Sequence, residues 1–497
     1  MKVVVIGAGF GGIGAAVTLG KAGHDVLVVE RAGEIGGTWR DNTYPGCACD
    51  VPSHLYSFSF APNPHWTRAY SPQPEILRYL QDVVRRCGVS DKIRCGVEVL
   101  SARWDGTDRQ WQLTTREGVL SADVLVSAVG PLSEPTIPAI PGVAAFTGEL
   151  WHSARWDNDV ELTGRRVAVI GSGASAIQIV PRLAGRAGQL TVFQRTAPWV
   201  MPRNDHEIPQ HRRQRYARHP VLQRLARGWI YASRELGVIG LVHQPVLMRA
   251  VERICRDHLR RQVLDPGLRA ALTPDYRAGC KRILLSDDYY PALMRDDVEL
   301  VPSGVIGFES DAVLAADGTR RQVDAVVFAT GFEATDLPIA HRVSGRDGRL
   351  LSDVWADTGM QALRGSTVHG FPNLFFLIGP NTGLGHTSMV HVIESQLGYV
   401  RDALRAMDEQ GLAVIEPTAA AQAAWNESIR HRLSHSVWTT GGCASWYQDS
   451  HGRITTLWPG STIRFRRQTR HIDPREYRVE RRADRTRRVL ADPDQRR

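Results

Sequence analysis

Residues Lys2–Ile6 read KVVVI and run straight into GAGFGG at Gly7–Gly12, followed by IGAAVTLGKAG and then DVLVVE at Asp25–Glu30. A β-branched run, a glycine-rich turn, an Ala- and Leu-containing stretch and a second β-branched run spell strand, turn, helix, strand. Within the turn Gly7 permits the tight reversal, Gly9 lets backbone N–H groups approach a pyrophosphate, and Gly12 allows close packing of the helix whose N-terminus supplies a positive dipole end. Glu30 closes the unit 23 residues after Gly7, where a carboxylate accepts hydrogen bonds from both ribose hydroxyls.

The same grammar returns further along: RVAVI at Arg166–Ile170, GSGASA, IQIVPRLAGRAG and LTVFQ ending at Gln194. Gly171, Gly173 and Ala176 form the G-x-G-x-x-A variant. At the position equivalent to Glu30 stands Gln194, followed by Arg195 and Thr196 and no acid. A carboxylate repels a 2′-phosphate, whereas a guanidinium and a hydroxyl bind one, so the second site selects NADPH over NADH. Only four of the 61 basic residues are Lys, which makes Lys281, beside Arg282 in GCKRILL, a second candidate for that phosphate. Two sites of different selectivity in one chain imply electron transfer between two bound cofactors: FAD in the first, fed with hydride by NADPH in the second.

At 497 residues and 43% hydrophobic composition, the chain is long enough for two or three domains around sizeable cores, which excludes a disordered or collagen-like protein. The net charge of +9 is concentrated after Ser461, where thirteen Arg face six acids, so the remainder is near neutral and a basic nucleic-acid face is excluded. The seven Cys form neither a paired zinc pattern nor a dense disulfide framework, no metal site is expected, and a reducing cytoplasm is the natural compartment. No uncharged apolar stretch approaches the ~20 residues of a membrane span, and glycines break the apolar N-terminus, so it is not a secretory signal.

Residues Gly130–Pro141 (GPLSEPTIPAIP) carry four prolines and form a crossover between domains. The Arg- and Leu-rich stretch from Asp205 to Tyr276 has helical periodicity and mixed charges, which predicts solvated amphipathic helices over a core rather than a membrane-surface element. The runs at Asp324–Phe328 (DAVVF) and Leu374–Ile378 (LFFLI) are expected to return to the first domain's sheet.

Residues Phe146–Asp157 read FTGELWHSARWD. This resembles the fingerprint of type I Baeyer–Villiger monooxygenases, F-x-G-x-x-x-H-x-x-x-W-(P/D), at Phe146, Gly148, His152, Trp156 and Asp157. Further likeness lies in Gly36–Trp39 (GGTW, with Gly37, Thr38 and Trp39 beside the flavin nucleotide), YPGCACD ending in Asp50, Lys281-Arg282, Ala329–Phe332, Gly379–His386 and Ser445–Tyr447. The resemblance implies an oxidation of ketones to esters or lactones through a C4a-peroxyflavin. It implies Arg282 as the catalytic arginine, Asp50 as its paired carboxylate, Lys281, Arg195 and Thr196 on the 2′-phosphate, and Trp446 on a mobile loop that closes over the nicotinamide nucleotide. His152 joins the catalytic candidates, with organisation of the domain hinge as its other reading. Trp39, Trp151, Trp156 and Trp438 read as packing residues, and His386 as a structural histidine or one near the flavin. After Tyr447 the sequence YQDSHGRITTLWPG departs from the cyclohexanone-oxidising members.

The expected organisation is α/β, with two Rossmann-like dinucleotide-binding domains and a helical insertion: 1–141 and 326–467 for FAD, the latter with the mobile loop, 142–204 and 277–325 for NADPH, 205–276 helical, and 468–497 an Arg-rich tail. The partners implied are a small ketone and O2. A heteroatom-oxidising flavin monooxygenase, acting on sulfur or nitrogen, is the alternative. A disulfide reductase would need a redox pair at Cys47-Ala48-Cys49, a spacing poorly suited to a relaxed disulfide; nothing in the sequence favours a non-catalytic flavin sensor.

Overall fold

The computed structural model describes residues 1–482. Lys2–Ile6 is the centre of a five-stranded parallel sheet in which Val124–Ser127 and then Leu374–Phe376 lie on one side, and Asp25–Glu30 and then Ile93–Cys95 on the other. Both faces of this sheet are covered, which is why its strands are runs of Val and Ile rather than alternating. The helix Phe10–Lys21 packs on one face against the long helix Met389–Glu409.

A second five-stranded sheet has Arg166–Ile170 at its centre, with Gln189–Phe193 and Val298–Val301 to one side. On the other side lie Ala325–Phe328 and Glu149–His152. The run at residues 324–328 therefore belongs to the second sheet, not the first; the expected return occurs only at Leu374–Phe376. The boundary drawn at 325 moves beyond Phe328 for the same reason.

Two small antiparallel sheets went unread in the sequence: Val99–Asp105, Gln110–Thr115 and Gly118–Ala122, extended by Val343–Ser344, and the meander Val305–Phe308, Ala312–Ala315, Arg320–Gln322. Helices fill residues 210–271. The supposed tail begins as structure, since Tyr477–Arg481 pairs antiparallel with Leu412–Pro417; residues 483–497 lie outside the described residues. The two crossovers between domains run side by side, bridged at Pro135 and Phe332, with the Thr136 N–H donating to Gly331 O (2.9 Å).

Candidate active site

The glycines are where the chain packs closest to itself. A Cβ on Gly12 would sit 1.8 Å from Gly7 O, and one on Gly171 would sit 2.5 Å from Ala329 O, so the first helix can approach its strand, and the second turn the end of the neighbouring strand, only without side chains there. Gly173 is different: nothing lies within 4 Å of the place its Cβ would occupy, which leaves the turn open toward a ligand. Neither Phe10–Lys21 nor Ala176–Leu183 has a side-chain cap, whereas Met389–Glu409 and Ala419–Leu433 are capped by Ser388 and Thr418. The two helices that follow the turns thus keep unsatisfied N–H groups for an anion.

A single cavity of about 860 Å³ runs past both turns. Gly7, Gly9, Glu30, Gly37, Thr38, Trp39 and Asp50 line it from the first domain. Glu30 is buried, its Oε2 accepting from Ala8 N–H (2.9 Å) and its Oε1 from Ala32 N–H (3.0 Å) and Arg40 (3.0 Å). The carboxylate is thereby aimed and held at the end of its strand. Trp39 is buried but not merely packed, since its Nε1–H donates to Tyr56 Oη (3.0 Å) on the cavity wall. Gly12 and Ala176 do not line the cavity; they work through packing.

From the second domain come Gly171, Gly173, Arg195, Thr196, Lys281 and Arg282. Lys281 lies 5.1 Å over the Tyr276 ring, and burial together with the nearby Arg195 charge lowers its pKa from the usual lysine value. Among the described residues neither Arg195 nor Lys281 has a carboxylate within salt-bridge reach. Two cations at one cavity, with the Asp275 charge near Lys281 but beyond salt-bridge reach, form a donor set that suits a phosphate. Gln194 turns away and donates to Ala271 O (3.1 Å), leaving Arg195 and Thr196 at the cavity.

Asp50 and Arg282 meet across 232 positions of sequence, Nε and Nη2 both 2.7 Å from Oδ2. Burial alone would raise the Asp50 pKa, but the guanidinium outweighs it and holds the carboxyl below the usual range; the carboxylate in turn raises Arg282. The pair is fixed as two full charges, each side chain about one-third exposed (31%) toward the cavity. Tyr447, buried beside Arg282, has its phenol pKa raised by burial. Its neighbour Trp446 is 46% exposed, lines the same cavity and packs tilted against Tyr447 at 4.6 Å.

The Trp446 loop is tied to the cation segment by a disulfide between Cys280 and Cys443, and by the Arg277 N–H donating to Gly441 O (2.9 Å). One disulfide is not the dense framework the sequence reading excluded, but it was not anticipated: the two cysteines are 163 positions apart, and no spacing rule pairs them. Cys47 and Cys49 remain free. Burial pushes the Cys47 thiol up to about 12 and raises Cys49 as well, the wrong direction for a redox nucleophile.

His152 does not line the cavity. It ends the edge strand Glu149–His152, accepts from the Ala154 N–H at Nδ1 (3.0 Å) and meets the Phe332 ring of the second crossover at 5.5 Å; burial lowers its pKa to about 4. Trp151 and Trp156 pack edge to face on the same side (5.6 Å). His386 is buried with Nε2 3.5 Å from Glu235 Oε2. Tyr447 and the Cys280–Cys443 link were the site features missed; the SWY triplet holding Tyr447 was in view, but only contact with Arg282 gives the residue a place.

Fold and site together define a flavoprotein oxidoreductase with two dinucleotide sites facing one cavity. The family model for pyridine nucleotide-disulphide oxidoreductases matches residues 1–226. The chain is 52% identical over 481 residues to a Baeyer–Villiger monooxygenase of Streptomyces coelicolor, covering 96% of this chain and 92% of that one. It is 45% identical to a Baeyer–Villiger monooxygenase of Pseudomonas aeruginosa, covering 96% and 91%. Among solved structures, OTEMO in complex with FAD and NADP superposes with a TM-score of 0.86 at 28% identity, covering 96% of this chain and 99% of that one. The chain belongs to the Baeyer–Villiger monooxygenase family, as the Phe146–Asp157 fingerprint led us to expect. No helix among the described residues is long and apolar enough to cross a membrane.

Proposed function

We propose that the chain is an NADPH- and O2-dependent flavin monooxygenase that converts a ketone into an ester or lactone. The observation that carries this is Arg282, a permanent cation held by Asp50 on the wall of a cavity shared by both dinucleotide turns. When bound, FAD supplies the two-electron chemistry and the place where O2 is activated, and NADPH supplies the hydride.

The chain's own residues then do the following. Gly7, Gly9 and the uncapped helix after them hold the flavin pyrophosphate, and Glu30 its ribose; Gly171 and Gly173 hold the second pyrophosphate, with Arg195, Thr196 and Lys281 on the 2′-phosphate. Asp50 engages only the Nε and Nη2 edge of Arg282. The remaining edge can hold negative charge on reacting oxygen atoms, a preorganised interaction worth ~3 kcal/mol for one donor. Trp446 and Tyr447 cover the cavity from the tethered loop and exclude water. His152, buried and neutral, organises the paired crossovers rather than moving a proton. The compartment proposed is the cytoplasm, on the strength of the five free cysteines; the Cys280–Cys443 link speaks against it, since disulfides are rare in a reducing compartment.

Arg282→Ala tests the reading. Reduction of the flavin by NADPH without O2 should persist while ester formation from a ketone panel is lost. Ester production by the variant refutes the assigned role, and a sulfide oxidised where no ketone is would favour heteroatom chemistry.

A further inference from the structure

The helix Pro220–Glu235 turns an apolar stripe to solvent, while Ile230 and Tyr231 pack inward beside its buried polar residues. At 3.6 residues per turn, Val221, Leu225, Gly228, Trp229, Ala232 and Leu236 share one sector of about 100°, and all six are exposed. Trp229 is 77% exposed, Leu236 66%, Leu225 65% and Val221 62%. Apart from Arg224 and Ser233, which are exposed, its polar side chains bond to the protein underneath. Arg227 donates to His54 O and Ser57 Oγ (both 2.9 Å), Arg234 to Tyr70 Oη (2.8 Å) and Gln223 to Asn63 O (2.6 Å), while Glu235 accepts from Thr462 Oγ1 (2.8 Å). A surface helix ordinarily does the reverse, and a continuous apolar stripe of this kind marks a contact surface.

The charge around the stripe says what it contacts. From Ile208 to Arg256 the chain holds ten Arg and two Glu, and both Glu235 (8%) and Glu252 (4%) are buried. Along the helices Gln210–Arg218 and Pro220–Glu235 the exposed charges are therefore all positive, while Glu207 before them and Asp265 and Asp275 beyond them stay exposed; the mixed charge that spoke against a membrane-facing element lies outside these two helices. Arg212, Arg215 and Arg218 on the adjoining helix Gln210–Arg218, and Arg224, are exposed.

We propose that this face docks the enzyme on an anionic lipid bilayer surface, with Leu225 and Trp229 below the headgroups and the guanidinium groups among the phosphates. A convex stripe on one helix with a projecting indole suits a deformable interface, and cationic side chains flanking Trp and Leu are the pattern of helices that lie in the plane of a membrane. A second copy of the chain fits poorly, because a two-fold contact would set one arginine-rich surface against another.

The test is flotation of flavin-loaded, full-length enzyme with vesicles of phosphatidylglycerol and phosphatidylcholine in equal parts, and with phosphatidylcholine alone. The enzyme should float with the anionic vesicles, far less with the neutral ones, and be released by salt. Leu225→Ser with Trp229→Ser should raise the apparent dissociation constant about ten-fold or more, with flavin content and NADPH oxidation unchanged. Arg212→Glu with Arg218→Glu should abolish the preference for anionic vesicles. Absence of flotation at low salt, or flotation indifferent to both double variants, overturns the proposal. So does a solution mass of twice 55.1 kDa that halves in the Leu225/Trp229 variant, which assigns the face to a second copy. Equal capture by a soluble acidic polypeptide without dependence on Leu225 and Trp229 overturns it too.

Discussion

Removing the Arg195 guanidinium should separate NADPH from NADH. Arg195 is exposed at the cavity rim, whereas Lys281 is half-buried with its ammonium over Tyr276. A charge-assisted hydrogen bond contributes about 1.5–3 kcal/mol, and solvent screening places Arg195 in the lower half of that range. Arg195→Ala should therefore cost about 1.5–2 kcal/mol of NADPH binding, or about ten- to thirty-fold in dissociation constant. Loss of Arg195 also removes a positive neighbour that lowers the Lys281 pKa, so Lys281 keeps its charge and part of the preference survives. Lys281→Ala, at the more buried position, should cost more than Arg195→Ala. The assay is flavin reduction by stopped flow without O2, over a range of NADPH and of NADH. Binding of NADH, which lacks the phosphate, should change less than about two-fold. Equal losses for both nucleotides would refute the phosphate assignment.

Gly12→Ala places a Cβ 1.8 Å from Gly7 O; purified protein should be colourless or markedly less stable, and a yellow, stable variant contradicts the packing role. Cys443→Ser removes a link closing a loop of 163 residues. The loss is at most about 5 kcal/mol in the unfolded-chain entropy account, read as a lowered Tm with faster proteolysis near the Trp446 loop; equal Tm values for the wild type with and without a dithiol reductant contradict it. His152 has a folded pKa of about 4 against an ordinary 6.5. Between those values the unfolded chain binds the proton and the folded one does not, so the stability falls as pH falls through that window, by about 1.4 kcal/mol per pH unit for one such group. His152→Phe should reduce the slope of unfolding free energy against pH by that amount, and an unchanged slope shows a protonated native histidine.

Both nucleotide units were legible because their signals are local: β-branched runs, glycines with a steric reason at each position, and an acid or arginine at a fixed distance. The sheet to which a strand returns is not local. Ala325–Phe328 and Leu374–Phe376 are alike as apolar runs, yet one pairs with Arg166–Ile170 and the other with Val124–Ser127. In the same way Asp50 and Arg282 were matched by resemblance, while Tyr447 and the Cys280–Cys443 link became visible only when the chain brought distant segments together. Charge signs were legible along 205–276, but burial of Glu235 decides what the helices between 210 and 235 present, and no periodicity in the sequence shows that Val221, Leu225, Trp229 and Leu236 face outward.

The central claim is that an arginine-held oxygen chemistry, driven by NADPH, inserts one atom of O2 into a ketone. Its most direct test gives flavin-loaded enzyme NADPH, isotopically labelled O2 and a panel of linear, cyclic, aromatic and steroidal ketones, with products read by mass. The account predicts an ester or lactone carrying one labelled oxygen from at least one ketone, with one NADPH consumed per product. NADPH consumption that yields only labelled hydrogen peroxide across the whole panel would contradict it.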